Sequence, residues 1–284
     1  MQLDNVKTLR DAVNYGKQFL EDFGIENAQY DATELLLLVM GISRTQYLIN
    51  SMDKIDSGKL AEYAELINKR AEHIPLQHIT GIVNFYGREY KVNANVLIPR
   101  QDTEILVEEV MKLTNSESRV LDMCTGSGCI GITLAKKFPD SNVTGVDISD
   151  KALAVAWKNK CNLDADNIDF IQSDLFAALG ADRRYDIIVS NPPYIPTKVI
   201  EGLQDEVRLH DPMLALDGTE DGLMFYRRIT DKSWDYLKMN GYLCYEIGAE
   251  QAADVSDIMK QAGFKDIVVV KDLAGLDRVV MGRK

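Results

Sequence analysis

The distribution of apolar and polar positions divides the chain into two parts with different predicted structures. Apolar residues recur at helical spacing through residues 1–72, which predicts a small bundle of helices. Glycine and small polar residues are expected to end or begin these helices, and the candidates are Gly24, Gly41, Ser43 and Ser57. From residue 119 onward, short apolar runs alternate with loops and helix-length segments. That alternation predicts successive strand-loop-helix units.

A segment with glycine turns, residues 73–100, lies between the two parts. Residues 78–81 and 83–87 alternate in polarity around glycines, and this predicts a β-hairpin. Either Asp102 or Thr103 is expected to cap the helix that follows. The chain is therefore predicted to contain a helical domain (1–72), a β-hairpin linker (73–100) and an α/β domain (101–284).

The α/β part is predicted to contain one mostly parallel sheet. Its strands are continuous apolar runs bounded by turn residues, as expected for buried parallel strands, at 120–123, 143–147, 168–172, 185–189 and 241–247. The runs at 265–271 and 278–281 are joined by a short loop and predict an antiparallel hairpin at one edge of the sheet. Residues 195–221 are predicted to be irregular, and a connection of that length is typical of a functional lid.

The charge balance argues against a large nucleic-acid footprint. The 284 residues include 32 Lys and Arg against 44 Asp and Glu, a formal net charge of −12, whereas phosphate contacts require a basic face. The four cysteines show neither a disulfide framework nor C-x-x-C spacing, and the three histidines lack a metal-binding spacing. With no signal peptide and no apolar run of about 18 residues, we expect a cytoplasmic protein without a membrane partner.

The strongest chemical motif follows the predicted strand at 185–189. Asn191 carries an amide with an acceptor oxygen and a donor NH2 group. Pro192 and Pro193 have carbonyl oxygens but no N–H, and Tyr194 adds a flat ring. Two acceptors and a ring suit a planar –NH2 group. An ordinary loop that closes a strand is the alternative interpretation of these four residues alone.

A glycine-containing loop follows the predicted strand at 120–123. It consists of Cys124, Thr125, Gly126, Ser127 and Gly128. Glycines allow a tight turn and a close approach to a ligand. No Gly-Lys-Ser/Thr follows, so the loop is not a phosphate P-loop, although the spacing G-x-G-x-x-G up to Gly131 also occurs in dinucleotide-binding proteins.

Acidic residues end or follow three successive predicted strands. Asp122 could hold an ammonium group, directly or through water, and Asp147 is placed to accept hydrogen bonds from ribose hydroxyls. Asp174 could accept from an adenine amino group, with Leu175 packed on the ring. Each aspartate alone could instead cap a helix or lie in a surface loop. Together they favour a ligand that carries an amino acid, a ribose and adenine.

In this order and spacing, the motifs resemble those of class I S-adenosylmethionine-dependent methyltransferases, in the branch that methylates planar amide or amino nitrogens. Other segments resemble the release factor glutamine methyltransferases, namely residues 75–81, 85–87, 97–104 and 246–248. The resemblance implies a Rossmann-like sheet. It also implies methyl transfer from S-adenosylmethionine to the side-chain amide nitrogen of the glutamine in the Gly-Gly-Gln motif of class 1 peptide chain release factors. Residues 1–72 are predicted to be a substrate-recognition domain, with a packing module, or recognition by the hairpin, as the alternatives.

The resemblance also implies roles for individual residues. The cofactor is expected to contact Asp122, residues 124–128, Asp147, Asp174, Leu175 and Asn191. The Asn191 oxygen and the Pro192 carbonyl are expected to accept the two N–H groups of the substrate amide, with Pro193 beside them and Tyr194 stacked beneath it. Two residues depart from the family pattern: Cys124 stands where a glycine is usual, and Leu175 where some relatives have an aromatic residue.

Several questions remain open from the sequence. Four charged residues could face the site or be caps and surface charges: Arg100, Asp102, Glu104 and Glu246. An adenine-N6 methyltransferase acting on DNA or RNA would have a similar loop, but it should add a basic target-recognition region. A protein that only senses S-adenosylmethionine would not need the Asn-Pro-Pro-Tyr motif, and a dinucleotide oxidoreductase would have no affinity for S-adenosylmethionine.

Overall fold

The computed structural model describes residues 5–284. The chain divides into two compact units. The first extends to Gly81 and includes Gln204–His210, and the second comprises Ile82–Leu203 and Asp211–Lys284. The three-part division with boundaries after residues 72 and 100 stays a prediction.

The first unit contains the helices that the apolar spacing predicts. They are α1 (Leu9–Asp22), α2 (Ala28–Met40), α3 (Arg44–Asn50), α4 (Ser57–Ala71) and α5 (Leu76–Thr80). Ser43 caps α3 as predicted, since its side chain accepts from the Gln46 N–H. The predicted cap of α4 is wrong: Asp56 accepts from Gly58 and Lys59, and Ser57 is the first helical residue. An acidic side chain one residue earlier therefore supplies the acceptor.

A buried ion pair lies within the apolar core of the first unit. Arg70 on α4 donates to Asp31 on α2 across 2.6 Å, and both residues are 4% exposed. Arg70 also contacts Glu206, in the short segment that returns to this unit. Burial raises the pKa of Asp31, and the hydrogen bond from Arg70 opposes that shift. The pairing compensates two charges that would be costly to bury alone.

The predicted hairpin is present, but it begins later than the alternation suggested. Residues 78–81 were expected in a strand, whereas they belong to α5 and its C-cap, where Gly81 has a φ of 74°. The hairpin pairs β1 (Ile82–Phe85) with β2 (Arg88–Lys91). Pro75 at the N-cap and a left-handed glycine at the C-cap enclose a single helical turn, which is too short to show helical spacing.

The second unit is built around one large sheet. After the hairpin the chain forms, in order, α6 (Asp102–Leu113), β3 (Arg119–Met123), α7 (Cys129–Lys137), β4 (Asn142–Asp147), α8 (Asp150–Asn162), β5 (Ile168–Gln172), β6 (Tyr185–Ser190), α9 (Thr197–Ile200), α10 (Asp205–His210), α11 (Met213–Leu216), α12 (Met224–Tyr236), β7 (Leu237–Glu246), α13 (Ala252–Gln261), β8 (Lys265–Lys271) and β9 (Asp277–Arg283). Of these elements α10 belongs to the first unit and the others to the second.

The strand order of this sheet confirms the predicted fold class. Within residues 5–284, seven strands pair in the order β5-β4-β3-β6-β7-β9-β8. The pairs from β5 to β7 are parallel, whereas β9 is antiparallel to both β7 and β8. One apolar core lies on each face of the sheet.

The chain changes direction across the sheet beside β3. From β3 it continues to β4 and β5 on one side, and later to β6 and β7 on the other. Met123 at the end of β3 pairs with Val146 on β4 and Ser190 on β6. Open α/β sheets bind ligands outside the carboxyl ends of strands at such a point, so the loops after β3, β4 and β6 are the expected site.

Two local predictions in this unit are wrong. The N-cap of α6 is Gln101, without a side-chain hydrogen bond, so Asp102 and Thr103 belong to its first turn. Residues 195–221 are not irregular but contain α9, α10 and α11. Prolines precede α9 and α11 at their N-caps, and these turns are too short to show helical spacing. Across residues 5–284, no helix combines the length and the apolar character of a membrane span.

Candidate functional site

A cavity of about 270 Å³ lies at the carboxyl ends of the parallel strands. It brings together most of the residues that the sequence predicted: Cys124, Thr125, Gly126, Ser127, Asp147, Asp174, Leu175, Asn191 and Pro193. Four predicted residues do not line it: Asp122, Gly128, Pro192 and Tyr194. The lining also includes residues that the sequence analysis missed, among them Val96, Leu97, Thr103 and Ile148.

The loop after β3 is held by backbone hydrogen bonds to the neighbouring strand. The Thr125 N–H donates to the Val146 carbonyl at 2.9 Å, and the Gly128 N–H donates to the Thr125 carbonyl at 2.8 Å. Cys124 has a φ of 61°, a left-handed conformation that costs a non-glycine residue about 1–2 kcal/mol. This conformation explains why a glycine would suit the position.

Asp122 lies beneath this loop, where the sequence analysis expected it to reach an ammonium group. It is fully buried, and its Oδ2 accepts from the Thr125 hydroxyl at 2.5 Å and from the Gly131 N–H at 2.9 Å. Burial raises its pKa to about 7, with the two hydrogen bonds opposing the shift. The side chain thus holds the loop and the start of α7 in place and has no surface in the cavity.

Asp147 ends β4 and lines the cavity as predicted. Its Oδ2 accepts from the Gly126 N–H and its Oδ1 from the Ser149 N–H, each at 2.9 Å. Burial raises the pKa of this carboxyl group, and the backbone hydrogen bonds oppose that shift. Each carboxylate oxygen has two acceptor sites, so capacity remains for hydroxyl groups of a ligand.

Asp174 and Leu175 follow β5 and line another part of the cavity. Both carboxylate oxygens of Asp174 accept from Nη2 of Arg228, at 3.0 and 2.9 Å. Leu175 is buried with a φ of 49°. Ile148 adds a half-exposed apolar side chain to the lining. The combination of apolar side chains and a carboxylate suits a flat heterocycle with an amino group.

Asn191 directly follows β6, and the last residue of that strand is hydrogen-bonded to β3. The hydroxyl of the preceding Ser190 donates to the Met123 carbonyl on β3 at 2.7 Å. The Nδ2 group of Asn191 donates to Oγ1 of Thr103 at 3.4 Å. Thr103 is buried in the first turn of α6. No motif in the sequence signals this contact, because Thr103 fitted equally well as a helix cap.

Tyr194 does not line the cavity but packs against the apolar core that contains Tyr226 and Tyr245, on one face of the sheet. Its carbonyl accepts from Nε2 of Gln251 at 3.0 Å. Gly218, Gly222 and Gly248 surround it so closely that a Cβ atom on Gly218 or Gly222 would overlap the backbone of Tyr194. Burial raises the pKa of the Tyr194 hydroxyl, so it remains protonated near neutral pH.

The four charged residues whose roles were open have separate positions. Arg100 lines the cavity and pairs with the buried Asp211 at 3.0 Å. Glu104 accepts from the Tyr86 N–H at 2.8 Å and so holds the hairpin turn. Asp102 pairs with Arg278 at 3.4 Å. Glu246 is 2% exposed. In the part of the chain that the structure describes, no group of three or more His, Cys, Asp or Glu could hold a metal ion.

Comparisons with known proteins agree with this site. Two family models match, one described as the PrmC N-terminal domain over residues 11–81 and one as the methyltransferase small domain over residues 100–207. A release factor glutamine methyltransferase from Geobacter sulfurreducens is 41% identical over 276 residues, covering 97% of this chain and 96% of the relative. The corresponding protein from Fusobacterium nucleatum is 39% identical over 279 residues, covering 96% and 78%.

Solved structures show the same fold at lower sequence identity. A methyltransferase from Pyrococcus furiosus superimposes with a TM-score of 0.54 at 14% identity, over 76% of this chain and 98% of that one. The fold and the family models define a methyltransferase that uses S-adenosylmethionine. The chain belongs to the release factor glutamine methyltransferase family. The predicted fold class, enzyme class and cofactor are thereby confirmed. The comparisons support glutamine methylation of a release factor over adenine-N6 methylation.

Proposed function

We propose that this enzyme methylates the side-chain amide nitrogen of the glutamine in the Gly-Gly-Gln motif of class 1 peptide chain release factors. The observation that supports this proposal is the position of the Asn191 amide at the cavity wall. Its Nδ2 is directed at Thr103, which turns Oδ1 to the opposite side. An acceptor oxygen fixed in this way can receive an N–H of a carboxamide.

The cavity residues fit S-adenosylmethionine part by part. Asp147 would accept from the ribose hydroxyls, and Asp174 from the adenine amino group, while Ile148 and Leu175 would pack on the adenine ring. Residues 124–127 would surround the rest of the cofactor, whose sulfonium carries the methyl group to be transferred. Asp122 would act indirectly, by holding the loop.

On the substrate side, Asn191 Oδ1 and the Pro192 carbonyl would accept the two N–H groups of the glutamine amide. Pro192 and Tyr194 lie outside the cavity lining, so they would meet the glutamine amide where the substrate binds beside the cofactor. There the partly exposed Tyr194 would support the amide plane, with Pro193 stiffening the loop. An amide nitrogen is a poor nucleophile because its lone pair is delocalised. Accurate positioning can contribute about 7–11 kcal/mol to lowering such a barrier, so no separate general base is required.

The proposal also assigns a role to each of the three predicted parts of the chain. Residues 1–72 would recognise the release factor, 73–100 would link the parts, and 101–284 would carry out the transfer. The acidic net charge supports a protein substrate over a stable nucleic-acid partner. The enzyme would act in the cytoplasm without a membrane partner.

Mass spectrometry can test this function directly. The enzyme is incubated with a class 1 release factor and isotopically labelled S-adenosylmethionine, and the labelled residue is mapped. We expect label on the motif glutamine alone, and none when this glutamine is replaced by alanine in the release factor. Label on another residue, or on added DNA or tRNA under matched conditions, would contradict the proposal.

Asn191→Ala supplies the matched test of the site. We expect loss of methyl transfer with a nearly unchanged affinity for S-adenosylmethionine by calorimetry, because the remaining cofactor residues are intact. Retained transfer would show that Asn191 does not have the proposed role.

A further inference from the structure

Glu246 is a buried carboxyl group next to the methyl-transfer site, yet it does not line the cavity. It ends β7, which pairs with β6 in parallel, and Ser190 lies opposite Tyr245. Asn191 and Glu246 each come one residue after this pair, so they occupy neighbouring positions at the ends of two adjacent strands. Within the described residues, Oε2 of Glu246 is buried without a hydrogen-bond partner. Burying a carboxyl oxygen without a hydrogen-bond partner has a large energetic cost, so this position calls for a functional explanation.

Charged and titratable groups from several elements influence Glu246. They are Asp102 on α6, Cys129 on α7, Tyr194 after β6, Tyr226 on α12 and Arg278 on β9. Arg278 is already engaged, because it pairs with Asp272 at 3.0 Å and with Asp102 at 3.4 Å. Its charge is thus shared with other carboxylates, and it still favours the ionised form of Glu246.

The uncharged neighbours of Glu246 are the side chains that define the site. Burial raises the pKa of Glu246 to about 7, whereas interactions with the Thr103 and Asn191 side chains favour its ionised form and oppose that shift. Asn191 in turn donates to Thr103. The three side chains form one cluster, in which Thr103 and Asn191 line the cavity and Glu246 lies outside its lining.

We propose that Glu246 is a positioning residue that fixes which way the Asn191 amide faces. An ionised carboxylate only accepts hydrogen bonds, so it attracts the NH2 group of Asn191 and repels Oδ1. Oδ1 is then presented to the cavity side as an acceptor. A protonated Glu246 can donate to Oδ1 instead, and this permits the reversed amide, which offers the substrate a donor where an acceptor is needed.

This inference rests on the proposed function, in which Asn191 Oδ1 binds the substrate amide. It predicts that kcat rises about tenfold between pH 6 and pH 8, because the ionised fraction of a group with a pKa near 7 rises from about one tenth to nine tenths. Affinity for S-adenosylmethionine should not follow this profile, since Glu246 lies outside the cavity lining.

The deciding experiment compares Glu246→Gln with wild type and with Glu250→Gln, an exposed site four residues later. We expect E246Q to reduce kcat at least tenfold at pH 8, to remove the rise with pH, and to leave cofactor affinity unchanged. E250Q should behave as wild type. Glu246→Asp, which keeps a carboxyl group, should retain part of the rise of kcat with pH.

Two outcomes would overturn this inference. One is an E246Q enzyme with wild-type kcat and pH profile. The other, which needs no variant, is a wild-type kcat that does not change between pH 6 and pH 8. An active Asn191→Ala enzyme would instead refute the proposed role of Asn191, so the two failures are distinguishable.

Discussion

The amide of Asn191 donates to the hydroxyl of Thr103 at 3.4 Å, although 88 residues separate them along the chain. The contact joins the end of β6 to the first turn of α6. It links the Asn-Pro-Pro-Tyr motif to a residue that belongs to no recognised cofactor motif. The orientation of the amide therefore depends on the helix that precedes the sheet as well as on the motif itself.

Replacing Thr103 tests this relationship. Thr103→Val keeps the shape of the side chain but removes the acceptor, and a hydrogen bond of this kind contributes about 1 kcal/mol. We expect kcat to fall by about fivefold, the rate difference that about 1 kcal/mol corresponds to, with little change in cofactor affinity, whereas Thr103→Ser should retain most activity. Equal kcat values for the valine and serine variants would show that the hydroxyl has no role.

Cys124 offers a test of backbone strain in the cofactor loop. Its φ of 61° disfavours any side chain with a Cβ by about 1–2 kcal/mol relative to glycine. Cys124→Gly and Cys124→Ala both remove the thiol, but only glycine relieves the strain. In urea titrations, we expect the free energy of unfolding of Cys124→Gly to exceed that of Cys124→Ala by about 1 kcal/mol. A more stable alanine variant would contradict this account.

The buried Asp122 should make stability depend on pH. Its pKa is raised to about 7 in the folded state, against about 3.9 in an unfolded chain. The folded state thus binds the proton more tightly, so the contribution of Asp122 to stability is complete below about pH 4 and is lost as pH rises through about 7.

Asp122→Asn removes this titration and keeps an acceptor oxygen for Thr125 and Gly131. Between pH 4 and pH 7, we expect its free energy of unfolding to fall less steeply than that of wild type, by at most about 1.4 kcal/mol per pH unit. Urea unfolding at several pH values measures the difference. Parallel curves for the two proteins would argue against a raised pKa.

The glycines around Tyr194 should be sensitive to added volume. Gly222 has a φ of 74°, and its Cβ would overlap the Tyr194 carbonyl. Gly275 has a φ of 81° but open space around it, so it is a matched control for backbone strain alone. We expect Gly222→Ala to cost at least about 2 kcal/mol more stability than Gly275→Ala, and to lower kcat by moving Tyr194. Similar losses of stability in Gly222→Ala and Gly275→Ala would contradict this prediction, because backbone strain alone would then explain both.

The parts of the fold that were predictable are those with long, regular patterns. Continuous apolar runs identified the strands of the sheet, and the final hairpin followed from two such runs around a short loop. The single turns α5, α9 and α11 were missed because four or five residues cannot display a helical period. Capping positions were misplaced by one residue where adjacent side chains, such as Asp56 and Ser57, have similar capping ability.

The candidate site was predictable wherever one motif occupies one loop. Asp147, Asp174 and Asn191 follow individual strands, and the cavity includes all three. Asp122 was expected in the cavity because sequence position does not show which face of a strand end a side chain occupies. Thr103 and Glu246 were not assigned because their importance depends on a contact between distant segments.

Two cysteines in the cavity wall bear on the chemistry that the enzyme must avoid. Cys124 and Cys129 both contribute to the lining, and a thiolate there would be a better nucleophile toward a sulfonium than any amide. Burial raises the pKa of both thiols, that of Cys129 to about 12. Both sulfurs therefore stay protonated at neutral pH, which protects the catalyst from alkylating itself and reserves each methyl group for the intended acceptor.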